Sequence, residues 1–351
     1  MDRANPHKDW ECNVLRNDID EWLASVMEEI VEPDRRIIDT HHHLWTVPLM
    51  WGRYELADLW ADTQSGLSGH DHIEKTVFID CHSNYRQEGK EALRPVGETE
   101  YVVQVAEASR VDADKPTIAA IVSHADMALG EAVEEVLLAH QEAGQGLFRG
   151  IRHIGPSDTT GTLSNPIVTG PCPYSRDDFR AGVRTLGRMG HSFDAWHLFL
   201  QNPDFLELAR AAPETTMVLN HFGSPLGVGA YAGKQDEIFA QWQRDIEQLA
   251  GCPNVVAKLG GLAMIDNGFG WHDRDLPPGS DEFCEAQRRY YLHTIECFGP
   301  ERCMFESNFP VDKLSISYHV MWNGMKKIVM DFSEDEKNAM FYGTAAKVYR
   351  I

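Results

Sequence analysis

Short apolar runs alternate with amphipathic stretches along most of the chain. Apolar residues recur at helical spacing over 131–143, 203–212, 235–250, 281–298 and 333–348, which predicts helices there. Repeated strand–helix units predict a parallel sheet covered by helices. Eight such units favour an α/β fold closed into a (β/α)₈ TIM barrel over an open doubly wound sheet, and no G-x-G-x-x-G follows a strand. The eight predicted strands are 36–39, 75–80, 118–123, 148–153, 191–195, 216–220, 255–259 and 303–306.

A separate segment precedes the first predicted strand. Apolar residues from Trp10 to Ile30 recur at helical spacing, which predicts a helix over residues 8–31 that ends near Pro33. We therefore divide the chain into an N-terminal helical extension, residues 1–34, and a barrel domain, residues 35–351. The apolar stripe of the extension is expected to pack on the barrel wall or on a second copy in a homo-oligomer.

Composition narrows the class of protein. The chain has 351 residues, 43% of them hydrophobic, and a formal net charge of −22, which disfavours nucleic acid and anionic membranes as partners. Seven cysteines without a C-x-x-C pair are expected to be reduced and mostly buried. No apolar run reaches the roughly 18 residues of a membrane helix, and the N-terminus lacks a signal-peptide core. We expect a cytoplasmic enzyme with a small-molecule substrate.

The strongest chemical signal is the run of three histidines after the first strand. Side chains alternate along a strand, so Asp39, His41 and His43 are predicted to share one face and Thr40 and His42 the other. Two imidazoles at the carboxyl end of a strand can bind a divalent metal or a polar substrate. Asp39 is predicted to orient a histidine from the layer beneath.

Polar side chains also follow most of the later strands. Barrel enzymes place their chemistry at the carboxyl ends of the strands, so we predict the active site there. Lys258 has a second interpretation, a pair with Glu306 across the barrel floor. The residues predicted to bind substrate are Trp45, Tyr54, His82, His124, Arg149, His153, His197 and Lys258.

Five motifs resemble those of the amidohydrolase-related family of TIM-barrel hydrolases. They follow the order that the family uses and together span residues 36 to 350. The motifs are D-x-H-x-H-L-W at Asp39 to Trp45, G-I-R-H at Gly150 to His153, N-H-x-G at Asn220 to Gly223, K-L-x-G-L at Lys258 to Leu262, and F-x-S-x-x-P-V at Phe305 to Val311.

The resemblance implies hydrolysis of cyclic esters, including sugar lactones and lactones from aromatic-ring breakdown. Some relatives are decarboxylases of unsaturated or aromatic acids. In metal-using members, the ligands match His41, His43 and His221, together with an aspartate from the eighth strand that also serves as general base. The implied cofactor is a divalent metal ion, with zinc as the expected one.

The eighth strand departs from the family pattern. Asn308 stands where the family has its aspartate, and a neutral amide cannot accept a proton at neutral pH. Two interpretations follow: Glu306 replaces the missing carboxylate, or the site is metal-free and the histidines act with Arg152 on the substrate carbonyl. The predicted catalytic residues are His41, His43, His221, Glu306, Asn308 and Arg152.

Three functions remain open at the level of sequence. The first is a lactone hydrolase that uses activated water. The second is a non-oxidative decarboxylase in which Arg149, Arg152 or Lys258 binds the carboxylate. The third is a binding protein that has lost catalysis together with the aspartate.

Overall fold

The architecture is a barrel of eight parallel strands, as predicted. The computed structural model describes residues 16–49, 52–161, 163 and 170–351. Within these residues, each barrel strand pairs in parallel with the next barrel strand along the chain. An antiparallel hairpin, which the sequence pattern did not reveal, lies between the first and second barrel strands. The strands are β1 (Ile37–His42), β2 (Trp45–Leu49) and β3 (Gly52–Tyr54) of the hairpin, β4 (Ile73–Ile79), β5 (Thr117–Ser123), β6 (Phe148–Ile154), β7 (Ser192–Trp196), β8 (Met217–Leu219), β9 (Val255–Leu259) and β10 (Cys303–Phe305).

The barrel closes between its first and last strands. His42 and Phe309 form a parallel bridge. The Asn308 amide donates to the His41 carbonyl at 2.9 Å, and the His43 amide donates to the Phe309 carbonyl at 2.8 Å. Closure therefore brings the segment after β10 directly beside the histidines of β1.

The helices predicted over 131–143, 203–212, 235–250 and 281–298 are confirmed to within two residues. The helix predicted over 333–348 is interrupted by a π-helical turn at Ala339–Gly343. Four helices escaped prediction, among them the helix at Tyr318–Ile328, which is buried on nearly all sides. None of the helices in the described part of the chain is long and apolar enough for a membrane crossing. The helices are α1 (Ile19–Leu23), α2 (Leu56–Thr63), α3 (Val96–Ser109), α4 (Val133–Ala143), α5 (Asp177–Arg188), α6 (Asn202–Ala211), α7 (Gln235–Ala250), α8 (Ser280–Phe298), α9 (Tyr318–Ile328), α10 (Glu334–Asn338) and α11 (Thr344–Tyr349).

The N-terminal segment differs from the continuous helix predicted over 8–31. Residues before 16 lie outside the described residues, α1 is five residues long, and residues 24–34 form turns and irregular structure. The backbone of Val31 bonds to side chains of α9. Its amide donates to Asn323 Oδ1 at 2.8 Å, and Lys326 donates to its carbonyl at 2.6 Å. The prediction of a helix beyond residue 23 is therefore wrong, whereas packing on the barrel wall is observed.

Two apolar layers surround the strands. The outer layer joins the strands to the helices, and the inner layer fills the barrel with Ile38, Val77, Val122 and other small aliphatic residues. Tyr349 at the end of α11 belongs to the inner layer and is fully buried. The inner positions above this layer are polar, and they are occupied by Arg152, Asp194, Lys258 and Glu306.

Candidate active site

An irregularity in β1 sets the direction of the first two site histidines. Asp39 is in register with Thr76 and His42 with Phe78, so three residues of β1 span two of β4. The extra residue changes the alternation of faces. His41 and His43 approach each other, whereas Asp39 accepts a hydrogen bond at 2.9 Å from Tyr318 on the outer helix α9. The prediction that Asp39 shares their face is therefore wrong.

The Asp39 carboxylate bonds to backbone amides rather than to a histidine ring. Its Oδ1 accepts from the Ser307 amide at 2.8 Å and the His41 amide at 3.2 Å. Burial raises the pKa of Asp39 to about 6, even though these hydrogen bonds and that of Tyr318 lower it. The carboxylate thus ties β1 to the segment after β10 and holds the backbone at His41.

The central histidine site is the group formed by His41, His43, His221, Glu306 and Lys258. His221 Nδ1 lies 2.7 Å from Glu306 Oε1, and Lys258 Nζ lies 3.3 Å from His41 Nδ1. The Nε2 atoms of His41 and His43 are 3.1 Å apart. An imidazole from β1, His41, and one from the segment after β8, His221, therefore meet at one carboxylate.

The approach of His221 to Glu306 depends on local backbone conformation. His221 adopts a left-handed backbone, with φ of 52°, and its amide also donates to Glu306 Oε1 at 3.1 Å. Gly261 lies against its ring, where a Cβ would come within 2.1 Å of His221 Nδ1. A side chain at residue 261 would displace the imidazole from the carboxylate, which explains a glycine at this position.

Lys258 connects the central histidine site to the barrel floor. Its Nζ lies 3.0 Å from Asp194 Oδ2 and 3.9 Å from Glu306 Oε2, and all three side chains are fully buried. Tyr349 donates to Asp194 Oδ2 at 2.8 Å. Lys258 therefore contacts both carboxylates, and the predicted pair with Glu306 is the longer of the two contacts.

Burial keeps the β1 imidazoles neutral. It lowers the pKa of His41 well below the ordinary value, and the nearby charge of Lys258 lowers it further. Burial followed by the charge of Arg152 does the same for the pKa of His43. Neutral imidazole is the form that binds a metal ion or accepts a proton.

The hydrogen bonds of the site leave the basic nitrogen of His43 facing the ring of His41. His43 Nδ1 lies 2.9 Å from the Ile79 carbonyl, which can only accept, so the basic nitrogen of neutral His43 is Nε2. The facing His43 and His41 Nε2 atoms can share one hydrogen or bind one cation. Glu306 Oε2 lies 2.9 Å from His41 Nδ1 but makes no hydrogen bond among the described residues. His41, His221 and Glu306 place ligand atoms within 4.8 Å of one another, which suits a metal ion.

Asn308 is held by the carboxyl group of Asp312. Asn308 Nδ2 donates to Asp312 Oδ2 at 2.6 Å, and the Ala263 amide donates to Asp312 Oδ1 at 2.7 Å. Burial raises the pKa of Asp312 to about 8. The spacing of four residues from Asn308 was a signal that could have identified this partner.

The outer histidine cluster is the group formed by Asp80, His82, Tyr85 and His124 at the ends of β4 and β5. Tyr85 donates to Asp80 Oδ1 at 2.8 Å, and its oxygen lies 3.0 Å from His82 Nδ1. The rings of His82 and His124 are 5.0 Å apart. Tyr85 had no motif or strand-end position to mark it in the sequence.

Arg152 lies between the two groups of histidines. It is buried, and one guanidinium nitrogen donates to the Asp80 carbonyl. Its Nε is 3.9 Å from Asp80 Oδ2 and has no hydrogen-bond partner in the described part of the chain. A buried guanidinium that has such an unbonded nitrogen can donate a hydrogen bond to a substrate oxygen.

Three further residues that were predicted to bind substrate lie outside the central histidine site, each in a different place. Arg149 lies at the start of β6, where it donates to the Tyr349 carbonyl at 2.6 Å. His197 is buried and bonds to Asn202 at 3.0 Å. His153 packs against Phe179 of α5, its ring centroid 4.9 Å from that of the phenyl ring.

The two predicted aromatic residues belong to one apolar cluster. Tyr54 is buried and donates to Asp62 at 2.8 Å. Trp45 packs in the same apolar cluster, with its ring 5.0 Å from that of His43. Of the two, Trp45 alone contacts a ring of the central histidine site.

Comparisons with known proteins identify the family of the chain. A family model described as amidohydrolase matches residues 38–351. The uncharacterized protein y4mH of Sinorhizobium fredii is 31% identical over 342 residues, which cover 91% of this chain and 99% of that protein. The L-fucono-1,5-lactonase of Burkholderia multivorans is 26% identical over 321 residues, covering 90% and 96%. A crystal structure of an amidohydrolase from Burkholderia multivorans with bound zinc superposes with a TM-score of 0.66 at 22% identity, covering 90% of this chain and 99% of that one.

Proposed function

Because the chain belongs to the amidohydrolase family, we propose that it is a hydrolase that opens a small lactone by attack of water. The observation that carries this proposal is that His41 meets His43 on one side and His221 with Glu306 on the other, at the carboxyl ends of the strands. A relative that covers nearly the whole chain is a sugar-acid lactonase, which supports a lactone as substrate.

We infer that the central histidine site takes one divalent metal ion, with zinc as the expected one. His41, His43 and His221 would hold it, with Glu306 beside them. Two imidazoles on a tetrahedral zinc ion, at about 2.0–2.1 Å each, stand roughly 3.3 Å apart. The 3.1 Å between the Nε2 atoms of His41 and His43 fits that requirement. When bound, such an ion polarises a carbonyl and lowers the pKa of water.

Glu306 takes the place of the aspartate that Asn308 cannot supply. Its Oε1 accepts hydrogen bonds from the ring Nδ1 and the backbone amide of His221. These bonds fix the imidazole so that its basic Nε2 lies on the side away from Glu306. Its Oε2 makes no hydrogen bond among the residues described. This oxygen is the carboxylate atom that takes up the proton when water attacks.

Arg152 stabilises the negative charge that develops on the carbonyl oxygen. Its guanidinium donates to the Asp80 carbonyl, one residue after the Ile79 carbonyl that holds His43. A preorganised cationic donor in a water-poor site lowers the barrier to acyl transfer. Lys258, which is held by Asp194, keeps a second positive charge beneath His41.

The test is a panel of five- and six-membered lactones, followed by proton release as the ring opens to the acid. We expect turnover to fall at least tenfold in His41→Ala and in His221→Ala. His72→Ala, which removes an exposed histidine just before β4, is the matched control and should keep the wild-type rate. Wild-type turnover in His221→Ala would refute the proposal, and CO₂ release without ring opening would identify a decarboxylase instead.

A further inference from the structure

We propose that Asp80, His82 and His124 form a second divalent-cation site, distinct from the central histidine site. One ligand atom from each residue lies within 4.8 Å of the others. The three residues follow β4 and β5, whereas the central histidines follow β1 and β8. The inference does not depend on the lactonase activity proposed above.

Tyr85 fixes the tautomer of His82. The Tyr85 hydroxyl has one hydrogen, and it donates that hydrogen to Asp80 Oδ1 at 2.8 Å. The same oxygen can only accept at its 3.0 Å contact with His82 Nδ1. Neutral His82 therefore carries its hydrogen on Nδ1, and Nε2 is its basic nitrogen.

A backbone carbonyl fixes His124 in the same way. His124 Nδ1 lies 3.1 Å from the Arg152 carbonyl, which cannot donate, so Nδ1 carries the hydrogen and Nε2 is basic. Metal-binding histidines are held by such contacts to a carbonyl or a carboxylate through the other ring nitrogen. Both histidines of the outer histidine cluster thus present the same ligand atom.

Asp80 supplies the charge that the two neutral imidazoles lack. It is fully buried, and the neighbouring Glu98 carboxyl, whose pKa burial and the Asp80 charge raise well above its ordinary value, hydrogen-bonds to it. His82 Nε2 stands 3.7 Å from Asp80 Oδ2 and Arg152 Nε stands 3.9 Å from it, and both distances exceed a hydrogen bond. A metal ion bound by the three residues would take Oδ2 as its charged ligand.

The ligand types select the kind of ion. Two imidazole nitrogens and one carboxylate oxygen favour first-row divalent ions such as zinc, cobalt or nickel, whereas calcium and magnesium prefer oxygen ligands. The side chain of His82 is 19% exposed, so an ion can reach the site from solvent.

Cobalt(II) is the probe for the test. Metal-depleted full-length protein is titrated with cobalt, and the bound ions are counted by elemental analysis and by visible d–d absorption. We expect two ions per wild-type chain and one in the His82→Ala/His124→Ala double variant. The His41→Ala/His221→Ala variant should also keep one ion, with the absorption of the outer site. His72→Ala should keep two.

Tyr85→Phe is the second variant, because it retains the ring and removes only the hydroxyl that fixes His82. We expect its cobalt affinity at the outer site to fall about 10–100-fold while the central site is unchanged. One wild-type ion that survives His82→Ala/His124→Ala in folded protein would overturn the proposal. One wild-type ion that disappears in that variant would support it and would instead refute a metal ion at the central histidine site.

Discussion

The two ends of the barrel both carry bonded polar side chains, buried at the carboxyl ends of the strands and half-buried at the amino ends, but these side chains bond to different partners. At the carboxyl ends of the strands, Glu306, His221 and Lys258 bond mainly to other side chains. At the amino ends, Arg302 and Asn254 each donate to carbonyls of the backbone. A backbone carbonyl does not titrate, so the contacts at the amino ends are structural. Coupled titratable side chains can exchange protons, so the contacts at the carboxyl ends support chemistry.

The sharpest test of this contrast removes one charge at the carboxyl end. Glu306→Gln keeps the shape of the side chain but loses the proton acceptor and the partner of two imidazoles. We expect kcat/KM for the best lactone to fall by about 10²–10⁴. Glu301→Gln, at the exposed amino end of β10, is the matched control. Equal rates in the two variants would abolish the distinction between the two ends.

Lys258→Met tests the connection between the site and the barrel floor. It leaves the buried Asp194 carboxylate with hydroxyl donors but no cation. We expect the free energy of unfolding in urea to fall by about 3–5 kcal/mol. The double variant Lys258→Met/Asp194→Asn should recover a large part of this loss, because the nearer carboxylate is then neutral and only Glu306, 3.9 Å from the lysine in wild type, has lost its cation. Additive losses in the double variant would contradict the pairing.

Asn254→Ala tests the amino end. Asn254 Nδ2 donates to three carbonyls, each at 3.1 Å, from Ala209, Ala212 and Thr215. Removing the amide is expected to lower the free energy of unfolding by up to about 3 kcal/mol, as partly buried acceptors lose their donor. The same variant should keep the wild-type kcat/KM. A loss of activity in stable, folded protein would show that this end also serves the reaction.

His197 follows a barrel strand, as the site residues do, but it packs as a structural residue. Burial lowers the pKa of His197 to about 4, although the hydrogen bond with Asn202 raises it. Below pH 6.5 the unfolded chain binds a proton that the folded chain does not, so stability is lost as the pH falls from 6.5 towards 4. The advantage of wild type over His197→Gln should shrink by about 2 kcal/mol between pH 7 and pH 5. A constant difference in urea unfolding would contradict the buried neutral ring.

The sequence anticipated the strands better than the faces of their residues. Strand β9 was predicted at its observed bounds, because a short apolar run between polar turns has few alternatives. The face of Asp39 was mispredicted, since one extra residue in β1 reverses the alternation and leaves no trace in composition. Helix α9 went unpredicted because its buried polar residues His319, Asn323 and Lys326 bond to segments far away in the sequence.

The sequence by itself determined the barrel and the identity of His41, His43, His221 and Glu306 as candidates, because hydrophobic period and ordered motifs are local properties of the chain. Only the tertiary structure decided which side chains meet. Tyr349 beneath Asp194 and Arg149 at the opposite end of the barrel both follow from closure of the sheet. Such contacts join residues from distant strands and helices, and no local pattern encodes them.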